Sequence, residues 1–228
     1  MLSTPPRQTN FAEGAGITSL GCTYGASPLS GSLLVCALGY NRNSAPSSVT
    51  VSNGSDVIGT GIAFGGNTST DVMFALYHVL VSGGGSTYTW SVTVPTSGAL
   101  KVYVAEYPGG ATFDQASGIS TGGGTAASST SLTPAQPNEL GIALVTVGYA
   151  TGMVISTWGN GFVLEIGPSS NQPLGLADVI TSGAIGAAAT LPASGQWAAA
   201  LALYAPLSTG QAEQGRGYMA SPSAAAPC

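Results

Sequence analysis

A chain of 228 residues is long enough for one large all-β domain or two small ones, and on folding it hides roughly 70% of its unfolded surface. Only 6% of the residues are charged while 44% are hydrophobic, which excludes a disordered polar chain and departs from the ordinary globular level of about 25% charged. The net charge is −5, and Arg7, Arg42, Lys101 and Arg216 are scattered, so no nucleic-acid-binding patch can be built from adjacent cations.

No apolar run reaches membrane-spanning length, and Met1–Arg7 lacks the charged and apolar regions of a secretory leader. Neither a membrane partner nor export is therefore expected. So few surface charges give little protection against association, and a homo-oligomer is expected.

Residues 1–16 hold Pro5, Pro6, polar residues and Phe11, and read as an extended N-terminal arm. Ile17–Tyr24 and Ser32–Tyr40 read as strands around the turn Gly25-Ala26-Ser27-Pro28. If they form a hairpin, Cys22 and Cys36 share the face of Leu20, Leu34 and Leu38. These two then read as small buried hydrophobes in a reducing compartment, and Cys228 as a bystander. Ser48–Ser52 alternates and meets the hairpin signal Asn53-Gly54, with Val57–Phe64 as the return strand.

Asp71–Val81 is apolar on both alternating faces and reads as a central strand, ended by Gly83-Gly84-Gly85. Tyr88–Val94 and Leu100–Tyr107 complete the first half. Residues 109–137, rich in Gly, Ser, Thr and Ala, show little periodicity and read as a long loop. The second half follows with strands at Leu140–Val147, Met153–Thr157, Phe162–Ile166, Gly175–Thr181, Ala187–Leu191 and Trp197–Tyr204. Residues 207–228 read as a C-terminal tail, and no segment reads as a helix.

The second half repeats the first. Leu76–Gly83 matches Leu176–Gly183, Val94–Leu100 matches Leu191–Trp197, and Val104–Tyr107 matches Leu201–Tyr204. With the strands at Ser30–Tyr40 and Asn138–Val147, four blocks recur in order. Two strand sets with one hydrophobic grammar predict an antiparallel two-sheet, jelly-roll-like β-sandwich over 17–206 with an internal pseudo-two-fold, its strands interleaving between sheets. His78 becomes Asp178 and Glu106 becomes Leu203 between the copies, and a residue polar in one copy and apolar in the other predicts a position at a sheet end where the core tolerates either.

Four stretches resemble a β-sandwich module of phage and bacterial surface proteins: Ser30–Tyr40, Val102–Tyr107, Asn138-Glu139-Leu140 and Gln196–Leu201. They are similar to its Gly-x-Leu-Leu-Val strand, Ala-Glu-Tyr strand end, Asn-Glu-Leu-Leu-like strand and terminal Trp-Ala strand. These are packing motifs. The resemblance implies adhesion, decoration or capsid reinforcement, with no catalytic set carried over. The expected function is a non-enzymatic virion structural protein made in the host cytoplasm. It would be a capsid decoration or cement subunit bound to the major capsid protein. The alternative is a receptor- or glycan-binding module of a tail fibre or adhesin.

The chemistry offered by the residues is thin. Gly118-Ile119-Ser120-Thr121-Gly122 fits the nucleophile-elbow pattern but sits in the expected loop, and His78 precedes it in the chain. A zinc site would need further His or Cys at ligand spacing, and Gly122-Gly123-Gly124-Thr125 lacks the Lys of a phosphate loop. No metal or cofactor is expected. A folded pair such as Glu106 with Glu165 would suit glycoside hydrolysis, whereas solvated or turn carboxylates are the simpler reading. Tyr149, Trp158 and Phe162 are the candidate glycan or partner contacts, although aromatics at strand ends more often finish a core. Arg7, Phe11, Arg216 and Tyr218 are the candidate arm contacts.

Overall fold

A computed structural model describes residues 2, 4–42, 44–53, 57, 58, 60–67, 73–81, 86–147, 155–166 and 174–207. Among them the chain is all-β, in two antiparallel sheets packed against each other as a β-sandwich.

Sheet A holds β1 (Gln8–Thr23), β2 (Leu33–Tyr40), β3 (Ser48–Ser52), β4 (Val57–Ile58), β5 (Gly61–Asn67), β6 (Met73–Leu80) and β7 (Thr89–Tyr107). Its order is β4-β3-β7-β2-β6-β5, with β1 also paired to β7. Sheet B holds β8 (Ala111–Ala116), β9 (Ser120–Ser128), β10 (Glu139–Val147), β11 (Thr157–Trp158), β12 (Val163–Ile166), β13 (Leu174–Thr181) and β14 (Ala188–Pro206). Its order is β11-β14-β10-β13-β12, with β8 and β9 also on β14.

Each half of the chain keeps to its own sheet, so the expected interleaving does not occur. The inner strands looked central because they are covered on both faces, and that cover has two sources. On β7, Tyr103, Ala105 and Tyr107 face sheet B, where Leu140, Ile142, Leu144, Ala200 and Tyr204 meet them. The alternate positions Trp90, Val92, Val94, Leu100, Val102 and Val104 form a second core with Leu34, Cys36, Leu38, Cys22 and Tyr24, all within sheet A. One face of one strand can pack its two ends into one cluster only if the sheet folds over on itself. Sheet B does the same, with Leu191, Trp197 and Ala199 in one cluster and Leu201 and Leu203 in another. Two curled sheets thus sit back to back through their convex faces.

The fold-over requires long strands. Tyr88–Val94 and Leu100–Tyr107, expected as two strands, form one strand of 19 residues, and so do the last two strands of sheet B. The register of β1 on β7 shifts between Gly14 and Ser19, opposite this bend. Tyr40 donates its hydroxyl to the Thr96 carbonyl, and the Ala99 N–H donates to Asn41 Oδ1 at 2.6 Å, which pins the bend. A Cβ on Gly98 would stand 2.7 Å from both Asn41 Oδ1 and the Tyr40 ring, so the close approach needs glycine.

Other expectations change. From Gln8 onward the expected arm is part of sheet A, paired along β7. β1 pairs with β7 and not β2, so Cys22 and Cys36 share a core without forming a hairpin pair, and both are free and buried. Val57–Phe64 divides into β4 on β3 and β5 on β6, at opposite edges. The stretch 109–137, expected as a loop, contributes β8 and β9. Gly54, Gly83-Gly84-Gly85, Met153-Val154 and residues 208–228, which include Cys228, lie outside the described residues.

The strand order of the two sheets corresponds, and so does the register. Leu33 lies opposite Leu80 and Tyr107, while Leu140 lies opposite Ile180 and Tyr204. The edge strands even share an irregularity, between Ile62 and Phe64 in β5 and between Leu164 and Ile166 in β12.

Small residues made β9 illegible for a steric reason. Gly122 lies on Trp197, where an added Cβ would stand 2.5 Å from the ring carbon Cζ2, whereas nothing lies within 4 Å of one added at Gly118. Gly122→Ala should cost about 1–3 kcal/mol, read as a lower urea midpoint, while Gly118→Ala should leave the midpoint unchanged.

Candidate functional site

Besides Ser117, Glu139 and Thr146, the buried and half-buried polar side chains of this sandwich include three groups with charged or titratable members. The first is built on Glu106, near the end of β7 and fully buried. Its Oε2 accepts from Arg7 Nη1 at 3.0 Å and Gln8 Nε2 at 2.5 Å. Its Oε1 accepts from the Leu29 N–H at 2.7 Å and Ser32 Oγ at 2.8 Å. Arg7 also holds the Ser27 carbonyl through Nη2 at 2.8 Å, and Gln8 holds Ala26 through both ends of its amide. One carboxylate therefore joins the chain before β1, the turn before β2 and the end of β7. A buried charge is tolerated when its lone pairs are met in this way.

The second group is Lys101, buried on the convex face of β7 and directly opposite Glu13 on β1. Its Nζ lies 3.2 Å from Glu13 Oε2 and 5.0 Å from the centre of the Tyr103 ring. Burial pushes its pKa down, and Glu13 partly restores it.

The third group lies at the junction of the sheets. His78 on β6 reaches Tyr204 of β14, with Nδ1 3.4 Å from the hydroxyl, and stacks on Phe113 of β8 at 5.3 Å. Its ring fills the space over Gly61, where a Cβ would stand 2.6 Å from Nε2. Burial pushes its pKa down, so the imidazole is neutral at pH 7. At the corresponding place in sheet B, Asp178 lies by Tyr107 of β7 and Glu165 of β12. Burial and the Glu165 charge push Asp178 up to about 7, and burial also raises Glu165. Each half thus turns a titratable side chain toward a tyrosine of the other half.

The sequence candidates are placed differently from one another. Arg7 serves the Glu106 cluster, and Phe11 is half-exposed with its ring 6.0 Å from Tyr103. Trp158 and Phe162 pack together at 6.2 Å and against the apolar interior of sheet B, so they finish a core. Tyr149, Arg216 and Tyr218 lie outside the described residues. Glu106 and Glu165 are not brought together: Glu106 is held by donors of sheet A, and Glu165 stands beside Asp178. Ser120 of the elbow-like motif opens an edge strand opposite Ala199.

Glu106 is not a position of tolerance, as its divergence from Leu203 between the repeats suggested, since four donors are built around it. His78 is held by Tyr204 and Phe113, while Asp178 is buried beside Tyr107 and Glu165. The usable signal was that divergence itself, since a polar residue replacing an apolar one on a central strand must be met by a matching change elsewhere.

Known protein families, characterised proteins and solved structures offer no match to this chain.

Replacing Glu106 by Gln should leave Arg7 without its counter-charge and face a donor toward other donors. The expected cost is about 2–4 kcal/mol of folding stability, measured by denaturant unfolding with the far-UV spectrum retained.

Proposed function

We propose that this chain is a non-enzymatic structural subunit of a virion, a capsid decoration or cement protein that works as a homo-oligomer on the major capsid protein. The observation that carries the reading is the character of its two edges. Strands β5 and β12 each have one neighbour among the described residues. They occupy corresponding edges of the two sheets and carry corresponding apolar residues in the open, Ile62 at 51% and Leu164 at 42% exposure. β5 contains no charge and no proline, the devices that normally keep a sheet edge from pairing with another chain. An edge left unguarded in a chain that is 6% charged suits a protein whose working state is an assembly.

The buried carboxylates support a structural role as well. Glu106 spends both oxygens on tying three chain segments together. The strand motifs that resemble phage and bacterial surface modules supply the setting.

Two measurements test this. Light scattering should show an oligomer that dissociates on the double substitution Ile62→Lys, Leu164→Lys. Purified capsids should retain the chain at a fixed copy number. A monomeric protein absent from capsids would overturn the reading. Glycan binding lost on Trp158→Ala would replace it with a receptor-binding role.

A further inference from the structure

At two corresponding places in the interface, a titratable side chain of one sheet meets a tyrosine of the other. At one, an imidazole meets a tyrosine hydroxyl, and the polar atoms are matched. At the other, both oxygens of Asp178, Oε1 of Glu165 and the hydroxyl of Tyr107 are buried with no hydrogen-bond partner among the described residues. Asp178 and Tyr107 are completely buried.

We propose that Asp178 and Glu165 hold one proton between them beneath Tyr107, and that this shared proton locks one end of the sheet–sheet contact, closed in mildly acidic solution and released by alkali. Two ionised carboxylates side by side, Asp178 fully and Glu165 partly buried, offer acceptors and no donor between them. One proton converts that repulsion into a hydrogen bond and halves the buried charge. The Tyr107 hydroxyl, arriving from the other sheet, is the remaining donor. Asp178 lies opposite Ile142 of β10 and Val163 of β12, which are apolar, so the titratable groups acting on it are Glu165 and Tyr107.

The direction follows from linkage. With its folded-state pKa raised from 3.8 to about 7, Asp178 takes up a proton on folding between those values. Stability is therefore greatest below the window and is lost as pH rises through it. His78 has the opposite sign. Its pKa is lowered on folding, so its contribution is present at neutral pH and falls as pH drops below 6.5. The two corresponding contacts thus titrate against each other, and only removal of one exposes the other.

Thermal unfolding of the full chain at about pH 5 and about pH 8.5 tests the lock. Asp178→Asn supplies an amide donor to Glu165 without a titratable proton. It should raise Tm at the higher pH by ~5 °C relative to the parent and leave Tm at the lower pH nearly unchanged. Glu165→Gln should act in the same sense, and His78→Gln should steepen the fall of Tm with rising pH. Carbon-13 titration of the parent should place the Asp178 carboxyl midpoint above about 6. An Asp178 midpoint near 4, or equal Tm differences between the two pH values in the parent and Asp178→Asn, would overturn the proposal. So would a millimolar calcium rescue at the higher pH that is seen in the parent and lost in Asp178→Asn, since it would assign these oxygens to a cation.

Discussion

Burial of both faces of β2 and β10 is the constraint on which the architecture rests. In β2 every residue from Leu33 to Tyr40 is buried, and in β10 every residue from Glu139 to Val147. A strand apolar on both faces needs two covers. The partner sheet provides one, through Leu33, Val35, Leu140 and Ile142. With no helix among the described residues, the second comes from the sheet itself, and that requires strands long enough to cross the molecule, bend and return. The lengths of β7 and β14, the glycine at the bend and the placement of β3 and β11 on the far ends of those strands all follow from it. The low charge does too, because a chain with two apolar faces per inner strand has few positions left for charge.

Against that background a buried polar group near a strand end can be reached by local donors. Glu106 is the clearest case, since its donors come from the residues just before β1 and from the turn before β2. Tyr24 shows the same economy in the sheet A core. It donates to the Ala105 carbonyl at 3.0 Å and accepts from Trp90 Nε1 at 3.2 Å, so a phenol and an indole are buried without an orphan between them. The corresponding end of sheet B carries Leu203 in place of Glu106, packed in an apolar cluster.

Strand order and register correspond between β7-β2-β6-β5 in one sheet and β14-β10-β13-β12 in the other, and the two sheets fill one pair of corresponding contacts differently. His78 with Tyr204 and Asp178 with Tyr107 are the same contact filled in two ways. The imidazole needs Gly61 beneath it, while the shorter carboxyl admits Val163 there and takes Glu165 as neighbour.

Alternation alone settled the all-β class and the presence of strands β2, β6, β10, β12 and β13, because side-chain period and turn residues are local properties of the chain. It also placed Cys22 and Cys36 in one core. What it could not settle was anything set by a neighbour distant in sequence. Residues 8–16 and 111–128 look like arm and loop because most of their side chains are small or polar, and the need for Gly122 beneath Trp197 is visible only when β14 lies beside it. The bend that makes two short strands one long one is dictated by closure over a core. The partners of Glu106 and Asp178 come from segments far along the chain, so the chemistry of those carboxyls was decided by tertiary packing, which sets both the loss of water and the donors that replace it.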